Sequence, residues 1–409
     1  MKSGMKKPLE GITIIELAQF IAGPAATRIL ADWGANVIKL ESVKGDHLRV
    51  MGYLNNMPMG EEDNPSFDTS NLNKKFVGFN QRGPHSMSVL HKMLETANVF
   101  MTNYRTPVLK KMGLDYETLH TKYPKLIFAQ VTGYGNAGAE KDEPGYDTVS
   151  WAARGGILST MNQAGTPPIN IVPSLGDFLT AMTFAGGIAG AIVGQLLHGT
   201  GDKITVSLYG LGLFGNAWPI MGTEYNEKPT YPRDRRHVAS PGINIYPCKD
   251  GWILMSCPDW STYYERVVTL LGREDLIGRT DYQDINLMQE KGLVTEFIDM
   301  MDAILSQHEV AYWKPKFAAV EVPIEKCCMF EDIIKDQQAW DAGFLYKYVT
   351  GSGKEHVMVN SPVQFESIGL IPEHRPGHRV GYHTREVLRD YGYSDEEIDA
   401  MVADGSFKD

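Results

Sequence analysis

Asp177 stands in the stretch IVPSLGDFLTAMTFAGGIAGAIVGQLLHGTGDKITVSL, Ile171 to Leu208, as the only charge before Asp202, and twenty uncharged residues follow it. A carboxylate so placed has two readings. Asp is a favoured helix N-cap. A carboxylate leading into a helix that buries itself is also well held for nucleophilic attack, with backbone N–H groups and the helix dipole favouring its ionised form. The apolar run is long enough to span a bilayer. Gly186, Gly190 and Gly194, at four-residue spacing, instead predict a buried helix with one side-chain-free face for close packing.

Other residues could also do chemistry. Tyr134 lies between two glycines in VTGYGNAG, where a ligand can approach the backbone while the ring packs on it. His374, His378 and His383 fall close together, but HRPGH cannot form a regular helix across Pro376 and no acidic residue stands at helical ligand spacing, so a solvated loop is expected there and no metal. Arg233, Arg235 and Arg236 could meet phosphates or simply be solvated. Cys327 and Cys328 have no nearby His in sequence, and no G-x-S-x-G elbow occurs, which leaves Ser and Cys nucleophiles without support.

The surrounding pattern predicts how these groups are positioned. Ile12 to Leu17 is a short β-branched run, Pro24 suits the first turn of a helix through Ala31, and Val37 to Leu40 predicts a second buried strand ending at Glu41. This is the outline of a Rossmann half, with Gly23 alone where G-x-G-x-x-G would lie, so nicotinamide or flavin binding is not expected. A helix over Met87 to Ala97 and strands at Val99 to Thr102 and Lys125 to Thr132 continue the alternation, which argues an α/β fold with a mostly parallel sheet. Thr223 to Gly242, rich in Pro, Arg and Tyr, reads as a linker or surface loop. CKDGWILMSC then predicts a hairpin turning near Asp250 and Gly251, with helical segments at Ser261 to Leu271 and Leu287 to Leu305, and Thr384 to Tyr391 predicts a last helix. The expected organisation is a large Rossmann-like domain over 1–200, a linker over 201–224, a small α+β domain over 225–325, and a return to the large domain over 326–409.

With 39 basic and 50 acidic residues, net −11, the chain has no global field for nucleic acid or an anionic membrane, so neither is expected as a partner. Four cysteines without C-x-x-C spacing suit a reducing cytoplasm. The N-terminal MKSGMKKPLEG has basic clusters but no apolar run before Ile12, the pattern of a chain without a signal peptide.

Taken in order, PLEGITIIELAQFIAGP, GANVIKLE with GDHLR, TNYRTPVLKKMGLDYETL, VTGYGNAG, the Gly176-Asp177 pair, GTGDKITVSL and GYHTREVLRDYGYSDEEI resemble the class III CoA-transferases over nearly the whole chain. That family includes formyl-CoA and carnitine CoA-transferases and clostridial transferases for 2-hydroxy and aryl acids. PGYDTVSWAARGG resembles the clostridial, amino-acid-fermenting members most. The resemblance implies a homodimer of interlocked chains, acyl-CoA and a free carboxylic acid as substrates, no metal, and Asp177 as nucleophile. It also implies coenzyme A contacts at Ile21, Ala22, Arg82, Asn103, Tyr104, Arg105, Lys111, Thr132, Gly133 and Tyr134. Ser42 departs from formyl-CoA transferase, which has a basic residue there, and Lys44 or Arg49 is the implied stand-in. An α-methylacyl-CoA racemase is the rival within the fold, but Gly145-Tyr146-Asp147 lacks the His base that such an enzyme needs. A CoA-binding protein without turnover is the rival outside enzymes.

Overall fold

The apolar runs of the first half of the chain become one sheet. In the computed structural model, which describes residues 6–227 and 229–409, six parallel strands are β1 (Thr13–Leu17), β2 (Asn36–Ser42), β3 (Lys74–Phe79), β4 (Val99–Thr102), β5 (Ile127–Thr132) and β6 (Lys203–Ser207). Their spatial order is β3-β2-β1-β4-β5-β6, and Phe407–Lys408 adds antiparallel to β3 at one edge. The helices of this part are α1 (Ala22–Asp32), α2 (Pro65–Asn71), α3 (Ser86–Leu94), α4 (Thr106–Met112), α5 (Tyr116–Lys122), α6 (Leu175–His198), α7 (Leu208–Gly215) and α8 (Ala217–Gly222). One apolar core, with Ile14, Val37 and Met101, faces α1 and α6; the other, with Ile15, Ile38 and Phe100, faces α3, α4 and the C-terminal helices. Strand residues that alternate between two buried faces are what a parallel sheet covered on both sides requires.

Two compact units result. The first comprises 1–158, 170–221 and 337–409; the second comprises 159–169 and 222–336. In the second, the expected hairpin forms from Ile243–Cys248 and Gly251–Ser256, and Ile324–Lys326 pairs antiparallel to it. The helix expected over Leu287 to Leu305 is two helices, Ile285–Glu290 and Val294–Leu305, because Gly292 between them takes φ +67°.

The sheet interior holds charges that its apolar pattern does not announce. Glu16 on β1, Lys39 on β2 and Lys74 on β3 are fully buried, with Lys39 Nζ 2.8 Å and Lys74 Nζ 2.8 Å from the two oxygens of Glu16. Burial opposes the charge on Glu16, but the two ammonium groups outweigh it and hold its carboxyl down at about 2. Lys39 also reaches Asp46 Oδ2 at 2.9 Å and the Ala18 carbonyl at 2.9 Å. The network therefore ties the strands to the turn that follows β1.

The helix after Asp177 differs from expectation. α6 buries Thr180, Ala181, Phe184, Ala185, Ile188 and Ile192 and packs against α1. Among the described residues, Gly186, Gly190 and Gly194 have no close packing partner outside their own helix: a Cβ on any of them would meet nothing within 4 Å. Burial of this helix within one chain is thus one-sided.

Candidate active site

In an open parallel sheet of this order, ligands bind beyond the carboxyl ends of the strands where the connections diverge, here at β1 and β4. Gln19 to Ala22 after β1, Asn103 to Thr106 after β4, and Thr132 with Gly133 at the end of β5 line one cavity of about 680 Å³. Asp177 and Asp147 lie in its wall. Glycines let the loops close around it. Gly133 and Gly145 meet backbone to backbone, since a Cβ on Gly133 would lie 2.6 Å from the Gly145 Cα.

Asp177 is the third residue of α6, inside the first turn, so it is not the N-cap that the local pattern allows. The helix end is satisfied from elsewhere. Asp147 Oδ2 accepts the Ser174 N–H at 2.8 Å, and Asp147 Oδ1 accepts the Asp177 N–H at 3.1 Å. Gly176 permits this approach: a Cβ there would fall 2.3 Å from the Trp151 indole and 2.4 Å from Asp147 Oδ1. Relieved of capping, the half-buried Asp177 carboxylate accepts no hydrogen bond and makes no ion pair among the described residues. Burial, and then the charge of Asp147, raises it to about 7. The expectation that the helix end favours its ionised form is opposed by burial first and by that second carboxylate next. Such a group is less fully ionised at neutral pH than an ordinary carboxylate, and its oxygen is more basic.

Of the other expected residues, Ile21, Ala22, Asn103, Tyr104, Arg105, Thr132 and Gly133 line the cavity. Asn103 pins the turn after β1, its side chain accepting from the Gln19 N–H at 3.2 Å and donating to the Gln19 carbonyl at 2.6 Å. Arg105 and Lys141 supply positive charge to the lining. Arg82, Lys111 and Tyr134 are not part of it. Arg82 is exposed on the turn after β3 and Lys111 is exposed in the last turn of α4. Tyr134 lies 6.2 Å from the Tyr209 ring, with the Arg154 guanidinium 5.0 Å from each.

Arg49 is spoken for. It forms a paired contact with Glu41, donates to the His378 carbonyl at 2.9 Å, and lies 3.8 Å over the Phe67 ring. Lys44, the other implied stand-in, is exposed at the surface. Arg235 and Arg236 pair with Asp302 and Asp299, and the histidine stretch binds protein groups: His378 Nδ1 meets Glu62 at 2.6 Å, and His383 Nδ1 accepts the Phe76 N–H at 3.1 Å. No metal-ligating cluster occurs among the described residues. Sequence reasoning missed Asp147, Phe20 and Met51 as parts of the site; only the Tyr146-Asp147 dipeptide carried any signal.

A Rossmann-ordered sheet with no dinucleotide fingerprint, and a desolvated, unpaired carboxylate over an apolar cavity with basic groups in its lining, has the outline of an acyl-handling transferase. The family model described as CoA-transferase family III matches residues 9–384, and the chain belongs to that family. It is 39% identical over 396 residues to a cinnamoyl-CoA:phenyllactate CoA-transferase of Clostridium sporogenes, covering 96% of each chain. It is 36% identical to an (R)-2-hydroxy-4-methylpentanoate CoA-transferase of Clostridioides difficile, covering 95% of this chain and 97% of that one. The fold is also that of a CAIB/BAIF family protein from Brucella suis, with a TM-score of 0.77 at 22% identity over 95% of this chain and all of that one.

Proposed function

We propose that this enzyme moves coenzyme A reversibly between an acyl-CoA and a free 2-hydroxy, aryl or enoyl acid in the cytoplasm, with Asp177 as the covalent nucleophile. One observation carries the assignment of the residue: Asp177 is exposed to the cavity, desolvated and unpaired, while Asp147 does the capping that would otherwise explain it. An Asp177 oxygen attacks the thioester carbonyl, the C–S bond breaks, and a mixed anhydride and CoA thiolate result. The thiolate attacks the aspartyl carbonyl, the donor acid leaves as a carboxylate, and an aspartyl-CoA thioester remains. The acceptor carboxylate then reverses both steps. Each step passes through an oxyanion that needs hydrogen-bond donors in the cavity, and both intermediates require that water be kept out.

The cavity-lining residues Ile21, Ala22, Asn103, Tyr104, Arg105, Thr132 and Gly133 are the proposed coenzyme A contacts. Arg82, Lys111 and Lys44, exposed cations outside the lining, are proposed for its phosphates. No histidine lines the cavity, which disfavours a two-base racemase. The acid class follows the names of the two clostridial relatives. A panel of acyl-CoA donors and free acids, read by mass spectrometry, should show exchange for aryl, enoyl and 2-hydroxy acids and little for oxalate or formate; the reverse preference would overturn this assignment.

A homodimer is proposed to cover the open side of α6 and its neighbours. Leu196 and Leu197 are 72% and 73% exposed, and Phe214 and Trp218 on α7 and α8 are 82% and 90% exposed. Large apolar side chains so exposed on these three helices support an interaction site there. Interlocked chains could separate only by unfolding, so sedimentation should find a dimer even at nanomolar concentration. A folded, active monomer under those conditions would contradict the proposal.

A further inference from the structure

Phe20 holds a backbone conformation that a bulky residue rarely adopts, with φ +64°. Strain of this kind persists only where the surroundings impose it, and it collects at functional sites. Here the surroundings are explicit. The Phe20 N–H donates to Asp46 Oδ1 at 2.9 Å, and Asp46 is itself fixed by Lys39 at 2.9 Å and by the Leu48 N–H at 3.0 Å. Its ring lies parallel to His47, with centroids 5.3 Å apart, and edge-on to Tyr146, with centroids 6.1 Å apart and planes at 85°.

Phe20 and Tyr146 both line the cavity that contains Asp177. Tyr146 directly precedes Asp147, the residue that accepts the Asp177 N–H, and the two rings and Asp177 share one cavity wall. A thioester attacked by Asp177 places its acyl group in this cavity, which the two rings help to line. We propose that Phe20, held by the Asp46–Lys39 ion pair and paired with Tyr146, is a specificity-determining residue that selects aryl over saturated acyl groups of the same size. This rests on the assignment of Asp177 as nucleophile. The selection is geometric: a ring in the acyl group can join an existing edge-to-face pair, whereas a puckered cyclohexyl group cannot.

The test compares kcat/KM for 3-phenylpropionyl-CoA and 3-cyclohexylpropionyl-CoA with one fixed acceptor acid. The parent should favour the phenyl substrate, Phe20→Leu should lower that ratio about fivefold, and Phe20→Tyr should restore it. A Phe20→Leu that slows both substrates equally would overturn the proposal, because the ring would then touch only what all CoA thioesters share, or merely support the turn. A parent with no preference between the two would overturn it as well. Should Phe20→Leu lose its fold, as circular dichroism would report, Tyr146→Leu carries the same comparison by removing the other ring. The ratio is read on enzymes that turn over, so its failure is distinguishable from that of the Asp177 assignment, which fails if Asp177→Asn still transfers.

Discussion

Asp177→Asn is expected to abolish CoA transfer, by roughly four orders of magnitude or more, while leaving the fold and coenzyme A binding in place. The amide is nearly isosteric but supplies no anionic oxygen to attack a thioester. Since Asp147 caps α6, the substitution removes no helix cap. It should even stabilise the protein. The folded carboxyl is raised to about 7 from 3.8, so the native state keeps a proton that the unfolded chain releases. Stability therefore falls as pH rises from about 4 to about 7 and stays lower above that range. Asparagine has no proton to lose. Urea unfolding at pH 8 should find Asp177→Asn more stable than the parent by roughly 1–3 kcal/mol, with the difference shrinking in acid. In the parent, kcat/KM should fall below about pH 7 as the nucleophile protonates. Transfer within tenfold of the parent, or a variant destabilised at pH 8, would count against the assignment.

Gly176→Ala should also damage activity, by about two orders of magnitude, although it touches no substrate. Its new methyl would lie 2.3 Å from the Trp151 indole and 2.4 Å from the Asp147 carboxylate, so the start of α6 must move away from both. Overpacking of this kind costs about 1–3 kcal/mol. The more informative loss is positional. A shift of about 1 Å in a reacting group lowers rate on the order of a hundredfold. The expected result is a variant that folds and binds coenzyme A but transfers it about a hundredfold more slowly. Near-parental activity would mean that the approach of Asp147 to the helix end is not what positions Asp177.

Much of the first unit was legible because its signals are local. Thr13–Leu17, Ala22–Asp32 and Asn36–Ser42 arise where β-branched runs and Pro24 predict them, and the hairpin turning at Asp250 and Gly251 follows its glycine. What escaped depends on contacts between distant positions. The cap on α6 comes from Asp147, thirty residues before Asp177, and the local pattern around Asp177 contains no trace of it. The glycines of α6 imply close packing, but nothing in a single sequence says whether the packed surface belongs to the same chain. Lys39 interrupts an apolar strand and Lys74 opens another, and their burial follows only once both are seen to meet Glu16. Arg49 illustrates the converse: a basic residue at the expected place for a phosphate is consumed by Glu41.

The central claim, that a covalent acyl group passes through Asp177, is tested most directly by trapping. With acyl-CoA present and no acceptor acid, the donor acid can leave while the second half of the cycle cannot finish, so an aspartyl-CoA thioester or anhydride should accumulate. Hydroxylamine should convert it to a hydroxamate, adding about 15 Da to the one peptide that contains Asp177. Borohydride should reduce the thioester form instead, and Asp177→Asn should show neither product. If the Asp177 peptide stays unmodified while transfer proceeds at full rate, the carboxylate is not the nucleophile, and direct transfer between the two bound substrates must take its place.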